Sequence, residues 1–242
     1  MHRFFITKDD IQDNHIILSG QNAQHASVLR LKIGEFIVLC DGICNDYYCS
    51  ISSMQNMKYI ANINFIKKNT NEPKANITLF QSLPKMDKLE HILQKSVELG
   101  IFCIVPVISQ NCIAKMQDNN DKKLLRLQNI AESAAKQSHR GIIPKVLPLH
   151  TFKEALELSQ KSARAIAFYE SATSPLKPLL HQFRYKNISS LAYFIGPEGG
   201  YTLNEAEEFK KNNILTVSLS KSILRTETAA IAAIANIAYE LN

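Results

Sequence analysis

The sequence predicts a two-part chain: a small all-β domain over residues 1–70, then an α/β domain with a largely parallel sheet over residues 71–242. Three observations predict it. Up to about Ile66 the apolar residues fall in short β-rich runs parted by turn residues. Lys67–Asn76, KKNTNEPKAN, is polar, contains a proline and lacks periodicity, which marks a linker. Beyond it, strand-like runs alternate with helical ones, the pattern that builds a parallel sheet.

In the first part the strands are His2–Ile6, His15–Leu18, Glu35–Cys40, Asp46–Ile51 and Lys58–Ile66, with turn signals at Gly34 and Asp41-Gly42. His25–Leu31 reads as one helical turn. Such a succession of short strands suits a small barrel or sandwich. In the second part Ile77–Ser82 and Ile101–Ile108 are strands on either side of a helix, Asp87–Leu99. Its Leu89, Ile92, Leu93 and Val97 recur near helical spacing, and Gly100 fits the position just past its end. Lys122–His139 is a second helix, with Leu125, Leu127, Ile130, Ala131 and Ala134 on or near one stripe. Then come helix Phe152–Gln160, strands Ala165–Tyr169 and Leu191–Ile195, helix Asn204–Asn212, strand Leu215–Leu219 and helix Thr226–Leu241. The last helix carries Ala229–Ala235, AAIAAIA, and a helix apolar on nearly every face is normally buried.

The composition narrows the class. Of 242 residues, 45% are hydrophobic and 21% charged, which excludes a disordered chain. Five cysteines, an odd number, argue against a disulfide framework. Cys40, Cys44 and Cys49 lack metal-ligand spacing and a fourth ligand, so no metal is expected. The opening MHRFFITKDD lacks a signal-peptide pattern, and no run nears the ~18 apolar residues of a membrane span. A soluble, cytoplasmic protein is expected. Lys and Arg outnumber Asp and Glu by 28 to 22, a net charge of +6 that favours polyanionic partners.

Four segments can carry chemistry. Gly196-Pro197-Glu198-Gly199-Gly200 follows the strand ending at Ile195 and precedes a helix, where open α/β sheets bind ligands. The plain structural reading is a rigid turn; the loop matches neither a P-loop nor G-x-G-x-x-G. Leu219–Ala229, LSKSILRTETA, also follows a strand and opens a helix; Thr226 suits its cap, with Arg225 and Glu227 at its mouth. The plain reading there is a capped helix with a surface ion pair. Lys136-Gln137-Ser138-His139-Arg140 ends a helix where a phosphate contact competes with an ordinary solvated face. Arg3, His25, Arg30 and Lys32 form an N-terminal set able to fork onto phosphates or stack on bases.

Taken in order, these segments resemble one family, the bacterial 16S ribosomal RNA uracil-N3 methyltransferases (RsmE type) of the SPOUT class. The resemblance runs from RFF at Arg3–Phe5 through HASVLRLKIGE at His25–Glu35 and LFQSLPK at Leu79–Lys85. It continues in QKSVELG at Gln94–Gly100, KQSHR at Lys136–Arg140, IGPEGG at Ile195–Gly200 and ILRTETA at Ile223–Ala229. It implies an N-terminal RNA-binding barrel related to PUA domains and a C-terminal α/β domain threaded into a trefoil knot. It implies S-adenosylmethionine as cofactor, held by three loops. Mapped here, the cofactor contacts are Tyr169 and Glu170; Ile195, Gly196, Pro197, Glu198, Gly199 and Gly200; and Leu219, Ser220, Ile223, Leu224, Thr228 and Ala229. It further implies a homodimer, and as substrate a specific uridine of 16S rRNA in the small subunit, the uracil-1498 site in conventional rRNA numbering.

Four positions depart from the family pattern: Met86, Lys136, Ser220 and Ser222. Ser220 stands where the family has glycine, and a positive φ there would cost a serine ~1 kcal/mol or more.

The implied chemistry is methyl transfer from a sulfonium to a ring nitrogen, promoted mainly by in-line positioning. Uracil N3 lies on the Watson–Crick edge and carries a proton, so the base must be unpaired and the proton removed. Arg225 is the candidate for stabilising the resulting anion, and Glu227 for orienting Arg225 or accepting the proton. Arg3, His25, Arg30, Lys32 and Arg140 are the candidate RNA contacts. Two rivals remain at this stage: a knotted methyltransferase acting on another RNA site, and a non-catalytic RNA-binding or ribosome-assembly protein. Cofactor binding separates the second from the enzymes.

Overall fold

Alternation of apolar and polar residues builds six strands in the first part of the chain: β1 (His2–Phe5), β2 (Ile11–Gln12), β3 (His15–Leu18), β4 (Phe36–Cys40), β5 (Asn45–Gln55) and β6 (Lys58–Lys68). They form one sheet in the order β1-β4-β5-β6-β3-β2, mixed because β1 runs parallel to β4 while the other pairs are antiparallel. Strands β5 and β6 are longer than the sequence suggests. Asn56 and Met57 both take positive φ, 49° and 58°, and so close a two-residue hairpin without the usual glycine. A full helix, α1 (Gly20–Val28), replaces the single turn expected later in the chain. Ala23 and Ala26 of α1 join Phe4, Ile16, Leu18, Ile37, Leu39 and Ile51 in one apolar core.

The computed structural model describes residues 1–112 and 120–241. Two compact units are present: Met1–Glu72 with Ala135–Ile143, and Pro73–Ala134 with Pro144–Asn242. The first unit thus includes a later segment that the linear boundary near residue 70 leaves out.

The second unit holds β7 (Asn76–Ser82), α2 (Met86–Glu98), β8 (Cys103–Ile108), α3 (Asn120–Gln137), whose last residues join the first unit, and β9 (Lys145–Val146). Next come β10 (His150–Thr151), α4 (Phe152–Ser159), β11 (Arg164–Phe168), α5 (Leu176–Tyr185) and β12 (Ser190–Ile195). The last elements are α6 (Leu203–Lys211), β13 (Leu215–Val217) and α7 (Thr226–Leu241). Every strand pairing is parallel, in the order β10-β8-β7-β12-β11-β13, with β9 also on β8. The Phe80 and Phe194 rings of adjacent strands β7 and β12 stack at 4.5 Å in the core.

Local chemistry sets the helix ends. Gly100 follows α2 at φ +101°, and a Cβ there would lie 2.6 Å from Pro73 Cγ, so only glycine fits. Thr151–Glu154 and Thr202–Glu205 form reciprocal capping boxes on α4 and α6. Helix α5 was not expected from the sequence. Its Pro178 sits in the first turn, where no intrahelical N–H is needed, while Leu176, Leu180 and Phe183 are buried. The apolar helix α7 packs on α2, α5 and β12, and Ala230, Ala233, Ile234 and Ile237 are all fully buried. Most of its apolar surface is thereby covered within the chain.

Candidate active site

Adjacent strands β12, β11 and β13 end at the same edge of the sheet, and the loops leaving their carboxyl ends enclose a cavity of about 490 Å³. That volume lies within the range of ordinary small-molecule sites. From the loop after β11 come Tyr169 and Glu170; from that after β12, Ile195, Gly196, Pro197, Glu198 and Gly200. The loop after β13 contributes Leu219, Ser220, Ile223, Leu224 and Arg225, and α7 adds Ala229. Three separate segments named from the sequence therefore meet around one space.

Two expected members stand elsewhere. Gly199 does not line the cavity. Its carbonyl accepts a 3.0 Å bond from Asn111 Nδ2, and a Cβ on it would meet Asn111, not a ligand. Thr228 is exposed on α7 and is also outside the lining. The glycine that the geometry requires is Gly200, at φ +67°, where a Cβ would come within 3.4 Å of Glu170 Oε2. Ser220 is not among the residues with positive φ, so the strain foreseen for it is absent. Its hydroxyl instead accepts the Ser222 N–H at 3.1 Å, and Ser218 Oγ donates to its carbonyl at 3.2 Å, so serines bind the loop to itself.

Sequence reasoning missed the supports behind these loops. Gln81 at the end of β7 is fully buried; its Nε2 donates to Thr226 Oγ1 at 3.0 Å, and Thr226 Oγ1 donates to the Gly196 carbonyl at 2.7 Å. Thr226, read as a helix cap, thus bonds a different loop. Lys88, in the first turn of α2, also lines the cavity. Its Nζ lies 3.1 Å from Glu198 Oε1 and 3.3 Å from Glu227 Oε2. The Glu198 carboxylate, with Glu227 behind it, holds the Lys88 ammonium above the usual lysine range. Burial pushes the Glu198 carboxyl up, but its own N–H, Lys88 and the Lys85 N–H outweigh that and leave it below the usual carboxylate range. No periodicity or motif marks Lys88 or Gln81; only the fold brings them here.

The Glu227 carboxylate faces Lys88, and Glu227 lies outside the cavity lining. The Arg225 side chain is exposed at the cavity and has no ion-pair partner among the described residues.

The N-terminal set divides. Arg3 is buried, forked onto Asp46, and donates from Nη2 to the Arg140 carbonyl at 2.8 Å. Arg140 is 2% exposed and paired with Glu72, which also accepts the Gly141 N–H at 2.7 Å. Asn69 links Asp46 to the His139 carbonyl. Both guanidiniums are thus taken up inside the first unit, and neither is presented to an outside phosphate. A carboxylate matched each arginine, buried Asp46 for Arg3 and partly buried Glu72 for Arg140, a pairing that one-dimensional spacing does not reveal. Arg30 and Lys32 are exposed, on the loop between α1 and β4. His25 is exposed and edge-on to Phe4 at 5.3 Å; burial, then Lys136 and His2, lower its pKa and favour the neutral ring. Among the described residues no cluster of three or more His, Cys, Asp or Glu is placed to hold a metal, and no helix is long and apolar enough to cross a membrane.

Residues 70–238 match the model of the RNA methyltransferase domain. Ribosomal RNA small subunit methyltransferase E of Bacillus subtilis is 30% identical, over 99% of this chain and 97% of its own. The chain belongs to the ribosomal RNA small subunit methyltransferase E family. Another member, from Mesomycoplasma hyopneumoniae, is 32% identical over 96% of each chain. The structure of methyltransferase E from Neisseria gonorrhoeae, bound to S-adenosyl methionine, superposes with a TM-score of 0.86 at 33% identity, covering 98% of this chain and 96% of that one. As in other folds of open parallel sheet, the cavity of this family member sits beyond the strand ends, in a crevice between loops.

Proposed function

We propose that this chain transfers a methyl group from S-adenosylmethionine to N3 of one uridine of 16S rRNA in the small ribosomal subunit. The observation that carries the reading is the single cavity wall built by GPEGG and ILRTETA, with an unpaired arginine at its edge. The cavity fits the cofactor on three grounds. Its volume suits a ligand of that size, its Gly196 and Gly200 let backbone approach closely, and the Glu170 and Glu198 carboxylates complement a cationic ligand.

Bound there, S-adenosylmethionine supplies a methyl group activated by its sulfonium. Glu170, Gly196, Glu198, Gly200 and Leu224, which line the cavity, would hold it. Arg225 holds the uracil as the N3 proton passes to solvent and negative charge develops at N3 and its carbonyl oxygens, next to the N-terminal amides of α7. Glu227, paired with Lys88, steadies the mouth of that helix. The RNA-facing residues are His25, Arg30 and Lys32, with the first unit as the PUA-like RNA-binding part and the second unit as the methyltransferase part. A knotted path for the second unit is part of the same reading and rests on the family resemblance. A homodimer is part of the same reading, supported by the exposed Ile223 and Tyr239 beside and on α7. The decisive experiment incubates the protein with small subunits from a strain lacking the activity and labelled S-adenosylmethionine. Label in 3-methyluridine at one position of 16S rRNA is expected; label on a ribose oxygen or another base would replace this reading with that of a different RNA methyltransferase.

A further inference from the structure

Lys88 is out of place by the rules of its own helix. A cation in the first turn of α2 opposes the helix dipole, and Asp87 beside it is the residue type that position favours. What it faces explains its position. Glu198 reaches it from the loop after β12, at 3.1 Å, and Glu227 from the first turn of α7, at 3.3 Å. Glu227 Oε2 is buried and accepts no hydrogen bond among the described residues, so the Lys88 charge is its compensation. Without that charge two carboxylates would confront each other across one wall of the cavity.

We infer that Lys88 is a positioning residue for methyl transfer, which locks the GPEGG loop to the start of α7 by its charge and so sets the width of the cofactor cavity. This rests on the cavity being the S-adenosylmethionine site. The two segments Lys88 joins both line the site, one with Gly196 and Gly200, the other with Arg225. Loosening them weakens cofactor binding and moves Arg225 relative to the methyl acceptor.

The test is binding of S-adenosylhomocysteine by calorimetry to the wild type, K88R, K88M and the double variant K88M/E227Q, with single-turnover transfer rates for the first three. K88R keeps the charge and is expected within about threefold of wild type in affinity. K88M is expected to bind at least tenfold more weakly and to lose turnover at saturating cofactor as well. The double variant is expected to bind at least threefold more tightly than K88M, because the repulsion between the two carboxylates is gone; a lost packing contact alone would not be recovered this way. E227Q alone opens the same bridge from the other side, outside the cavity lining, and should weaken binding, which keeps the test decisive if K88M folds poorly. Wild-type binding with K88M within twofold of it, or a double variant no better than K88M, overturns the inference alone. A wild type that binds no S-adenosylhomocysteine overturns the cofactor reading and the inference with it.

Discussion

Thr226 Oγ1 donates a 2.7 Å hydrogen bond to the carbonyl of Gly196, thirty residues earlier in the chain, while accepting one from buried Gln81. Replacing Thr226 by valine keeps the shape and removes both roles. Leaving a buried donor without its partner costs ~1–3 kcal/mol, so T226V should unfold at lower denaturant and bind cofactor more weakly. T226S should stay close to wild type. Equal stability of T226V and wild type in urea titration would deny the bond its role.

Gly200 and Gly199 make a discriminating pair. G200A forces a Cβ into a left-handed residue beside the Glu170 carboxylate, at ~1–2 kcal/mol for the backbone alone, and should lower cofactor affinity at least tenfold. G199A presses on Asn111, away from the cavity, and should lose less. Calorimetry on both variants checks the order.

Arg225 should matter to the rate more than to cofactor binding. Removing one preorganised charge-stabilising group lowers a rate by ~10²–10³. R225A should show that loss in single-turnover transfer with saturating cofactor and RNA, and R225K should recover only part of it, since a point charge lacks the planar fork. A loss that disappears at higher RNA concentration would make Arg225 an RNA-binding residue.

The arginines of the first unit should separate by phenotype. R30A and K32A should each flatten the log–log salt dependence of RNA binding by ~0.7 and leave stability alone. R3A should instead destabilise the protein by ~3–5 kcal/mol, because it leaves Asp46 as a buried, uncompensated charge. Salt titrations and denaturant melts on the three variants read the two effects independently.

Asp41 supplies a pH-dependent contribution. Burial raises its carboxyl, but the N–H groups of Asn45, Cys44 and Ile43, at 3.0, 2.9 and 2.8 Å, outweigh that and lower it below the usual range. A depressed folded-state pKa stabilises above the unfolded value, ~3.9, and that contribution is lost as pH falls through the folded value. D41A should therefore be less stable than wild type by ~1–2 kcal/mol at neutral pH, a gap that narrows below about pH 4. Urea melts of both proteins across pH 3–7 measure it.

What the sequence disclosed depended on whether the physics was local. Helical spacing in Leu89–Val97 and the helix-ending glycine at Gly100 depend on near neighbours, and both lie where expected. The Asn56-Met57 turn and α5, with its early proline, broke the usual signals, so the first was underestimated and the second missed. In the site, the GPEGG and ILRTETA loops were legible because strand ends are where ligands bind, while Tyr169 and Glu170 were reached only through the family resemblance. Lys88, Gln81 and the partners of Arg3 were not legible, since a charge pair or hydrogen bond across tens of residues leaves no pattern along the chain.

The Arg140 carbonyl that receives Arg3 is 137 positions downstream. During synthesis the first unit therefore waits: its strands emerge early, but a buried arginine near its beginning stays incompletely partnered until the end of α3 has left the ribosome. A fragment ending at Glu72 would lack the Gly141 carbonyl that accepts from Cys40, and the Arg140 guanidinium that neutralises Glu72 itself. A dissected domain would have to be stitched from residues 1–72 and 135–143 to reproduce the native one.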